Sequence, residues 1–229
     1  MVSKDKFDYS DNWSLVHEVT EEQLVRDPGS YRYSKYLVII LFINYSLGIL
    51  FYPEPFTLTH HAFSHLGMTH VHSGLPNHIS LVINAFGMMA CAWIMFRLAR
   101  YHHRIHPVPA SSAYSFFSFL VAIGYLMMLF PCDLPKVRFF HVFGSGLVVG
   151  GLVFLVMIRL IAIKPVVGLA RFRLLTGAFS LSVLLYAWMW LIHSPINPLF
   201  QKIAIIALIF TTLYSFRISK IRGEGKIKI

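Results

Sequence analysis

Six apolar runs, each close to the length of a membrane-spanning helix, follow one another along this chain. A transmembrane helix needs about 20 mainly apolar residues, and such runs leave a soluble protein no polar exterior. Hydrophobic residues make up 56% of the sequence and charged residues only 13%. The sequence therefore predicts an all-α, polytopic membrane protein built as a six-helix bundle. The predicted spans are residues 36–52, 79–98, 114–130, 140–163, 174–193 and 203–216.

The distribution of basic residues predicts how the spans are oriented. All but three of the 20 Lys and Arg residues lie on the side of the two termini, the exceptions being Lys136, Arg138 and Lys202. Because basic residues favour the cytoplasmic side of a membrane, both termini are expected to be cytoplasmic. The first, third and fifth connections then face the outside or a lumen. The membrane would be the cell membrane in a prokaryote, and an endomembrane or the plasma membrane in a eukaryote.

Charge also divides the chain into three parts. Residues 1–34 form an acidic cytoplasmic tail that holds seven of the ten Asp and Glu residues, residues 35–217 form the membrane domain, and residues 218–229 form a basic tail. The net charge of +10 could indicate nucleic-acid binding. However, the basic residues flank apolar spans, where anionic lipid headgroups are their natural partners. We therefore expect membrane lipids, and not nucleic acid, to be the partners of this chain.

Small residues predict where helices pack closely. Gly146 and Gly150 form a G-x-x-x-G motif in the fourth span, and Gly87 and Cys91 repeat the same spacing in the second. Such spacing lets two helix backbones approach each other. Packing within the chain is the first interpretation. A seam in a homo-oligomer, or with a partner in a membrane complex, is the alternative.

Histidines are concentrated in the first outer connection. His61 and His65 are four positions apart, so one helical turn would place both imidazoles on the same side, as a metal site requires. The alternative is a lightly charged polar loop whose histidines cover apolar surface. Six of the twelve histidines lie in this connection, namely His60, His61, His65, His70, His72 and His78.

Asp133 and His141 are a second candidate pair on the outer face. Asp133 ends the third span and His141 opens the fourth, so the two side chains are expected to meet at the membrane surface. A carboxylate there could orient an imidazole for acid–base chemistry, or both could bind a headgroup. Together with His61 and His65 they could hold a divalent metal such as zinc. A structural Asp–His hydrogen bond is the alternative.

Several short motifs resemble a known six-span family, the bacterial and archaeal membrane proteins catalogued as domain of unknown function 998. A more distant similarity is to the damage-regulated autophagy modulators and the GPI-lipid remodelling membrane proteins. The resemblance implies a six-helix bundle and lipid handling, without an established activity. The family has an acid where this chain has His65. The motifs are Phe63-Ser64-His65-Leu66-Gly67, Pro76-Asn77, Asn84, Gly87, Phe130-Pro131-Cys132-Asp133 and His141, and the implied polar cluster is Ser64, His65, Asn84, Asp133 and His141.

Two functions remain open from the sequence. In the first, the chain is a non-catalytic membrane component, or a protein that binds a lipid or small solute, in which Ser64 and Asn84 contact the ligand or headgroup. In the second, it is a metal-dependent or acid–base lipid-modifying enzyme that uses Asp133, His141 and His65. The first is favoured, because the sequence contains no complete catalytic constellation.

Overall fold

A computed structural model describes residues 28–105 and 109–223, and the remainder of the two predicted tails lies outside these ranges. The described part is helical and contains no named strand, which confirms the predicted all-α class. A short 3-10 helix, Phe63–Gly67, lies between the first two helices. The helices are α1 (Pro28–Leu50), α2 (His78–Ile105), α3 (Pro109–Met127), α4 (Pro135–Val167), α5 (Leu169–Leu191) and α6 (Asn197–Gly223).

Five of these helices, α1, α2, α4, α5 and α6, are long and apolar enough to cross a membrane. Many of their large apolar side chains are exposed, for example Phe42, Phe86, Leu184 and Phe210. Lipid is the solvent in which such a surface is stable. The chain is therefore a multi-pass integral membrane protein. The apolar part of α3, Ser111–Met127, is shorter than the other five.

The boundaries of α4 show why the helices extend beyond the predicted apolar runs. Pro135 occupies the first turn, where its missing N–H costs nothing and its fixed φ favours helix. Gly168 ends the helix with a φ of 78°, a conformation that L side chains rarely adopt. Polar residues such as Lys136 and Arg138 are therefore helical, although the hydropathy pattern excludes them from the span.

Two cores hold the bundle together. Met88, Cys91 and Met95 of α2 pack against Val121 and Tyr125 of α3, and α1 and α4 complete this core. A smaller core joins α4 to α5 through buried apolar residues, Leu160, Ile163 and Phe179 among them. α6 packs against α4 and α5 and also contacts α1.

Close helix contacts at glycine do not fall where the G-x-x-x-G motif predicts them. A Cβ atom built on Gly146 or Gly150 would meet nothing within 4 Å, so this pair makes no close contact among the described residues. A Cβ on Gly144 would lie 2.7 Å from the carbonyl oxygen of Gly124 in α3, and the reverse substitution meets the same obstacle. At Gly87 a Cβ would overlap the Asn44 side chain of α1, so these two helices approach closely there.

Candidate functional site

Residues 51–77 fold into a compact structure, here called the cap, over the helix ends where α1 finishes and α2, α4 and α6 begin. Its centre is apolar: Leu66 and Val71 are buried, and Phe63 stacks on Tyr45 of α1 with ring centroids 3.9 Å apart. A turn at Gly74 (φ 85°) returns the chain, so that Val71 N–H donates to the Leu75 carbonyl at 2.9 Å. This connection, for which a lightly charged polar loop is one of the two interpretations from sequence, is therefore an ordered element with its own small core.

Asn77 holds the 3-10 helix of the cap in place. Its side-chain nitrogen lies 3.4, 3.2 and 3.0 Å from the carbonyl oxygens of His65, Leu66 and Met68. The Ser80 hydroxyl also donates to the Leu66 carbonyl, at 3.2 Å. Asn77 is fully buried, so the amide satisfies carbonyl groups that would otherwise be costly to bury. Its role is structural.

Asp133 binds the cap from the α3–α4 connection. Its carboxylate accepts hydrogen bonds from the Thr69 hydroxyl at 2.6 Å, from the Thr69 N–H at 2.9 Å and from the His70 N–H at 3.2 Å. Partial burial raises the pKa of Asp133, but the hydrogen bonds from Thr69 and His70 together outweigh it and hold the pKa below its usual value. Asp133 is therefore ionised, and its hydrogen bonds hold the cap backbone in place.

His141 binds a different group from Asp133. Its Nδ1 donates to the Phe130 carbonyl at 2.8 Å, which ties the first turns of α4 to the end of α3. Because a carbonyl can only accept, the neutral ring carries its proton on Nδ1 and a lone pair on Nε2. That Nε2 atom is buried and has no hydrogen-bond partner among the described residues. Asp133 and His141 therefore do not bind each other as predicted, because each one binds a different backbone group.

Lys202 and Gln201 of α6 complete the attachment of the cap. The Lys202 ammonium donates to the His61 carbonyl at 2.6 Å and to the Pro198 carbonyl at 3.1 Å, and it lies over the Phe63 ring. Gln201 Oε1 accepts the Phe63 N–H at 3.2 Å. The sequence pattern indicates no role for either residue. The available signal was the position of Lys202, one of only three basic residues on that face.

Three histidines of the cap, His61, His65 and His72, form a cluster beside Glu54. The ring centroids of His61 and His65 are 5.9 Å apart, those of His61 and His72 are 6.1 Å apart, and those of His65 and His72 are 5.1 Å apart. Burial, followed by smaller contributions from the neighbouring His72, His61 and Lys202, lowers the pKa of His65 to about 4. His65 is therefore neutral at pH 7. Hydrogen bonds from Ser73, together with His61, lower the pKa of Glu54.

The tautomer of His61 decides what this cluster can bind. The Thr57 N–H donates to His61 Nδ1 at 3.0 Å, so the neutral ring carries its proton on Nε2, which lies 3.5 Å from Glu54 Oε1. A protonated Nε2 offers no lone pair to a metal ion. Consistently, the described residues contain no group of three His, Cys, Asp or Glu side chains arranged to hold one. His61 instead acts as a bridge between Thr57 and Glu54.

Ser64 and Asn84, the predicted headgroup contacts, lie at the underside of the cap. The Ser64 carbonyl accepts the Cys132 thiol at 3.5 Å. Asn84 is buried, accepts a hydrogen bond from Asn44 at 3.4 Å, and lies so close to Gly67 that a Cβ there would be 2.7 Å from Asn84 Nδ2. The structure thus brings His61, His65 and His72 together, and it places Asp133, His141 and Asn84 at separate contacts around them.

Comparison with known proteins gives no relative for this arrangement. No protein-family model, no curated protein and no solved structure matches the chain.

Proposed function

We propose that this chain is a non-catalytic, six-span membrane protein whose cap forms a rigid binding surface on the outer face, for a lipid headgroup, a small solute or a partner protein. The 19 residues of α3 extend over roughly 29 Å, close to the hydrocarbon thickness of about 30 Å, which supports a sixth span. The basic residues favour cytoplasmic termini. The ordered motifs around Ser64, Asp133 and His141 support kinship with the family catalogued as domain of unknown function 998.

The observation that carries this proposal is how the polar groups of the cap are used. Asp133, His141, Asn77 and Lys202 all hydrogen-bond to backbone atoms of the cap or of the helix ends beneath it. A catalytic acid or base must instead present its polar atom to a substrate within hydrogen-bond reach. These residues therefore support a role in building the surface and not in turnover.

Substitution of Asp133 and His141 by Ala tests this assignment. Because the wild-type side chains join the cap to α3 and α4, each variant should unfold at lower temperature in detergent and should be recovered in lower yield. The exposed His60, in the same cap, provides the matched control as His60→Ala. Variants that are as stable as wild type but change the lipid composition of the cells would contradict the proposal.

The second candidate is a lipid-modifying enzyme that depends on a divalent metal such as zinc or on acid–base catalysis. It is favoured by two buried imidazole nitrogens, Nδ1 of His65 and Nε2 of His141, which find no hydrogen-bond partner in the described part of the chain. Elemental analysis of the purified protein and mass spectrometry of its lipids distinguish the candidates. Stoichiometric metal that is lost in His65→Ala would support the enzyme.

Introduced cysteines test the orientation. Burial raises the pKa of Cys132 to about 11, so its thiol reacts poorly at neutral pH and is a poor topology probe. Thr59→Cys in the cap and Arg173→Cys at the other end of the bundle, both exposed, are suitable replacements in a Cys91→Ser, Cys132→Ser background. A membrane-impermeant maleimide added to intact cells should label position 59 only. Labelling of position 173 alone would reverse the proposed orientation.

A further inference from the structure

Three histidines of the cap lie together where the cap contacts α6. The ring centroids of His61, His65 and His72 are between 5.1 and 6.1 Å apart. Two imidazolium ions at this separation repel each other, and partial burial weakens the screening by water. The closed cap can therefore hold one proton in this cluster but resists the uptake of more.

The charges around the cluster strengthen this resistance. The Lys202 ammonium of α6 donates to the His61 carbonyl at 2.6 Å and adds a positive charge beside the rings. Glu54 Oε1, 3.5 Å from His61 Nε2, can balance a single protonated imidazole. The titratable groups that face the cluster are Glu54 and Tyr52 of the cap and Lys202 of α6, with Cys132 of the α3–α4 connection beyond Tyr52.

Protonation would also disrupt the hydrogen bonding of the closed cap. His61 Nδ1 accepts the Thr57 N–H at 3.0 Å, and its Nε2 already carries a proton, so a second proton must displace the Thr57 N–H. The Nδ1 atom of His65 is buried and meets no hydrogen-bond partner within the described ranges. A protonated His65 would thus bury an N–H group without an acceptor. Both histidines take up a proton more readily when the cap is open.

The two sides of the cap respond differently to acid. On the α6 side, the side chains of Lys202 and Gln201 bind backbone atoms next to the cluster. On the other side, the Asp133 carboxylate binds the N–H and the hydroxyl of Thr69. These hydrogen bonds hold the pKa of Asp133 below the ordinary 3.8, so its contact survives mild acid. Mild acid therefore loosens the cap on the α6 side.

We propose that the cap is a proton-operated gate, which is closed against α6 at neutral pH and moves away from Lys202 when the histidine cluster takes up further protons, while Asp133 holds the other side. Opening separates Phe63 from Tyr45 of α1, whose rings stack at 3.9 Å, and uncovers the buried Leu66. The gate rests on the proposed function and adds its regulation: the binding surface is assembled at neutral pH and taken apart in acid.

Hydrogen exchange of the full-length protein in detergent, read by mass spectrometry, tests the gate. EDTA is present, so that no metal ion competes with protons. The amides of His61, Phe63 and His65 are hydrogen-bonded in the closed cap. After correction for the intrinsic effect of pH, they should exchange about tenfold faster at pH 5 than at pH 6, because opening is coupled to the uptake of one proton.

The location of the change decides between a gate and general unfolding. The amides of Thr69 and His70, which Asp133 holds, should keep their exchange rates over the same interval. Equal acceleration on both sides would mean that the whole cap unfolds, and the proposal would then be wrong. It would also be wrong if neither side responded to acid.

Substitutions in the cluster identify the groups that respond to acid. His72 is exposed, so His72→Gln should fold, and the acceleration at Phe63 should fall from about tenfold to about threefold because one repelling charge is gone. His60→Gln, at an exposed histidine of the same cap, is the matched control and should keep the full response. If His72→Gln does not fold, Glu54→Gln decides: without the balancing carboxylate, the gate should open at higher pH. The full wild-type response in the variant that folds would overturn the proposal.

A failure of the gate can be told apart from a failure of the proposed function. Asp133→Ala should accelerate exchange at Thr69 at both pH values, because it removes the attachment on the other side. If this acceleration is seen without an acid response at Phe63, the cap assignment stands and the gate alone is refuted.

Discussion

The carboxylate of Asp133 accepts a 2.6 Å hydrogen bond from the hydroxyl of Thr69 and a 2.9 Å bond from its backbone N–H, across 64 positions of sequence. Thr69 lies in the cap and Asp133 in the connection between α3 and α4. This contact fixes the cap to a helix pair that does not otherwise adjoin it in sequence. Together with the contacts of Asn77 and Lys202, it holds the cap against the bundle.

Asp133→Asn should lower the free energy of unfolding by about 1–2 kcal/mol, because an ionised acceptor of several hydrogen bonds becomes a neutral amide. Thr69→Val removes one of the donors. A double-mutant cycle by thermal or denaturant unfolding in detergent should therefore show that the two substitutions are not additive. Strict additivity would mean that the contact contributes no coupling energy.

His65 should make the cap sensitive to mild acid. Its pKa is about 4 in the folded protein, against 6.5 for an ordinary histidine. As the pH falls below 6.5 the unfolded chain takes up a proton that the folded cap does not, so stability is lost between pH 6.5 and 4. After allowance for partial solvent exposure, we expect a loss of about 1–2 kcal/mol over this interval.

The measurement is the unfolding temperature from pH 7 to pH 4. His65→Gln should flatten this dependence, whereas His60→Gln, at an exposed position of the same cap, should leave it unchanged. The contribution of Asp133 is separate, since its folded pKa lies below the ordinary 3.8 and its stabilisation is lost only at lower pH. A His65→Gln variant with the full wild-type slope would exclude His65 as the cause.

Lys202→Met should loosen the cap at its contact with α6. Methionine keeps most of the packing against Phe56 and Phe63 but leaves the His61 carbonyl without its 2.6 Å donor. We expect a loss of about 1–3 kcal/mol and faster proteolysis between residues 51 and 77. Lys136→Met, at an exposed lysine on the same face, is the control. Equal proteolysis rates in the two variants would show that Lys202 does not hold the cap against α6.

The helices could be predicted from the sequence because their burial in lipid requires long apolar runs, a pattern that is visible in one dimension. Their ends could not, since residues such as Pro135 and Lys136 continue α4 for reasons of backbone geometry and not of hydropathy. In α3 the helix likewise begins at Pro109, before its apolar part, Ser111–Met127. Helix ends depend on local dihedral preferences that hydropathy does not report.

The candidate site could be predicted as a region but not as a set of contacts. Asp133 and His141 were identified because ionisable groups are scarce beside apolar spans, yet each binds the backbone instead of the other. His72 joins His61 and His65 only because the turn at Gly74 folds the cap back. Such contacts depend on tertiary folding, for which spacing along the chain carries no signal.

Two glycines in the same helix provide the sharpest test of the packing. Gly144→Ala would place a methyl group 2.7 Å from both the Gly124 carbonyl oxygen and the Met127 Cβ, so α3 and α4 must separate, and we expect a loss of about 1–3 kcal/mol. Gly146→Ala, two positions later, meets open space and should be neutral or stabilise the helix by up to about 1 kcal/mol. Unfolding in detergent compares the two variants. Should the pair Gly146 and Gly150 form the predicted seam of a homo-oligomer, Gly146→Ile would reduce the oligomer mass in size-exclusion chromatography with light scattering while monomer stability is kept. Equal destabilisation by Gly144→Ala and Gly146→Ala would contradict the described contact between α3 and α4.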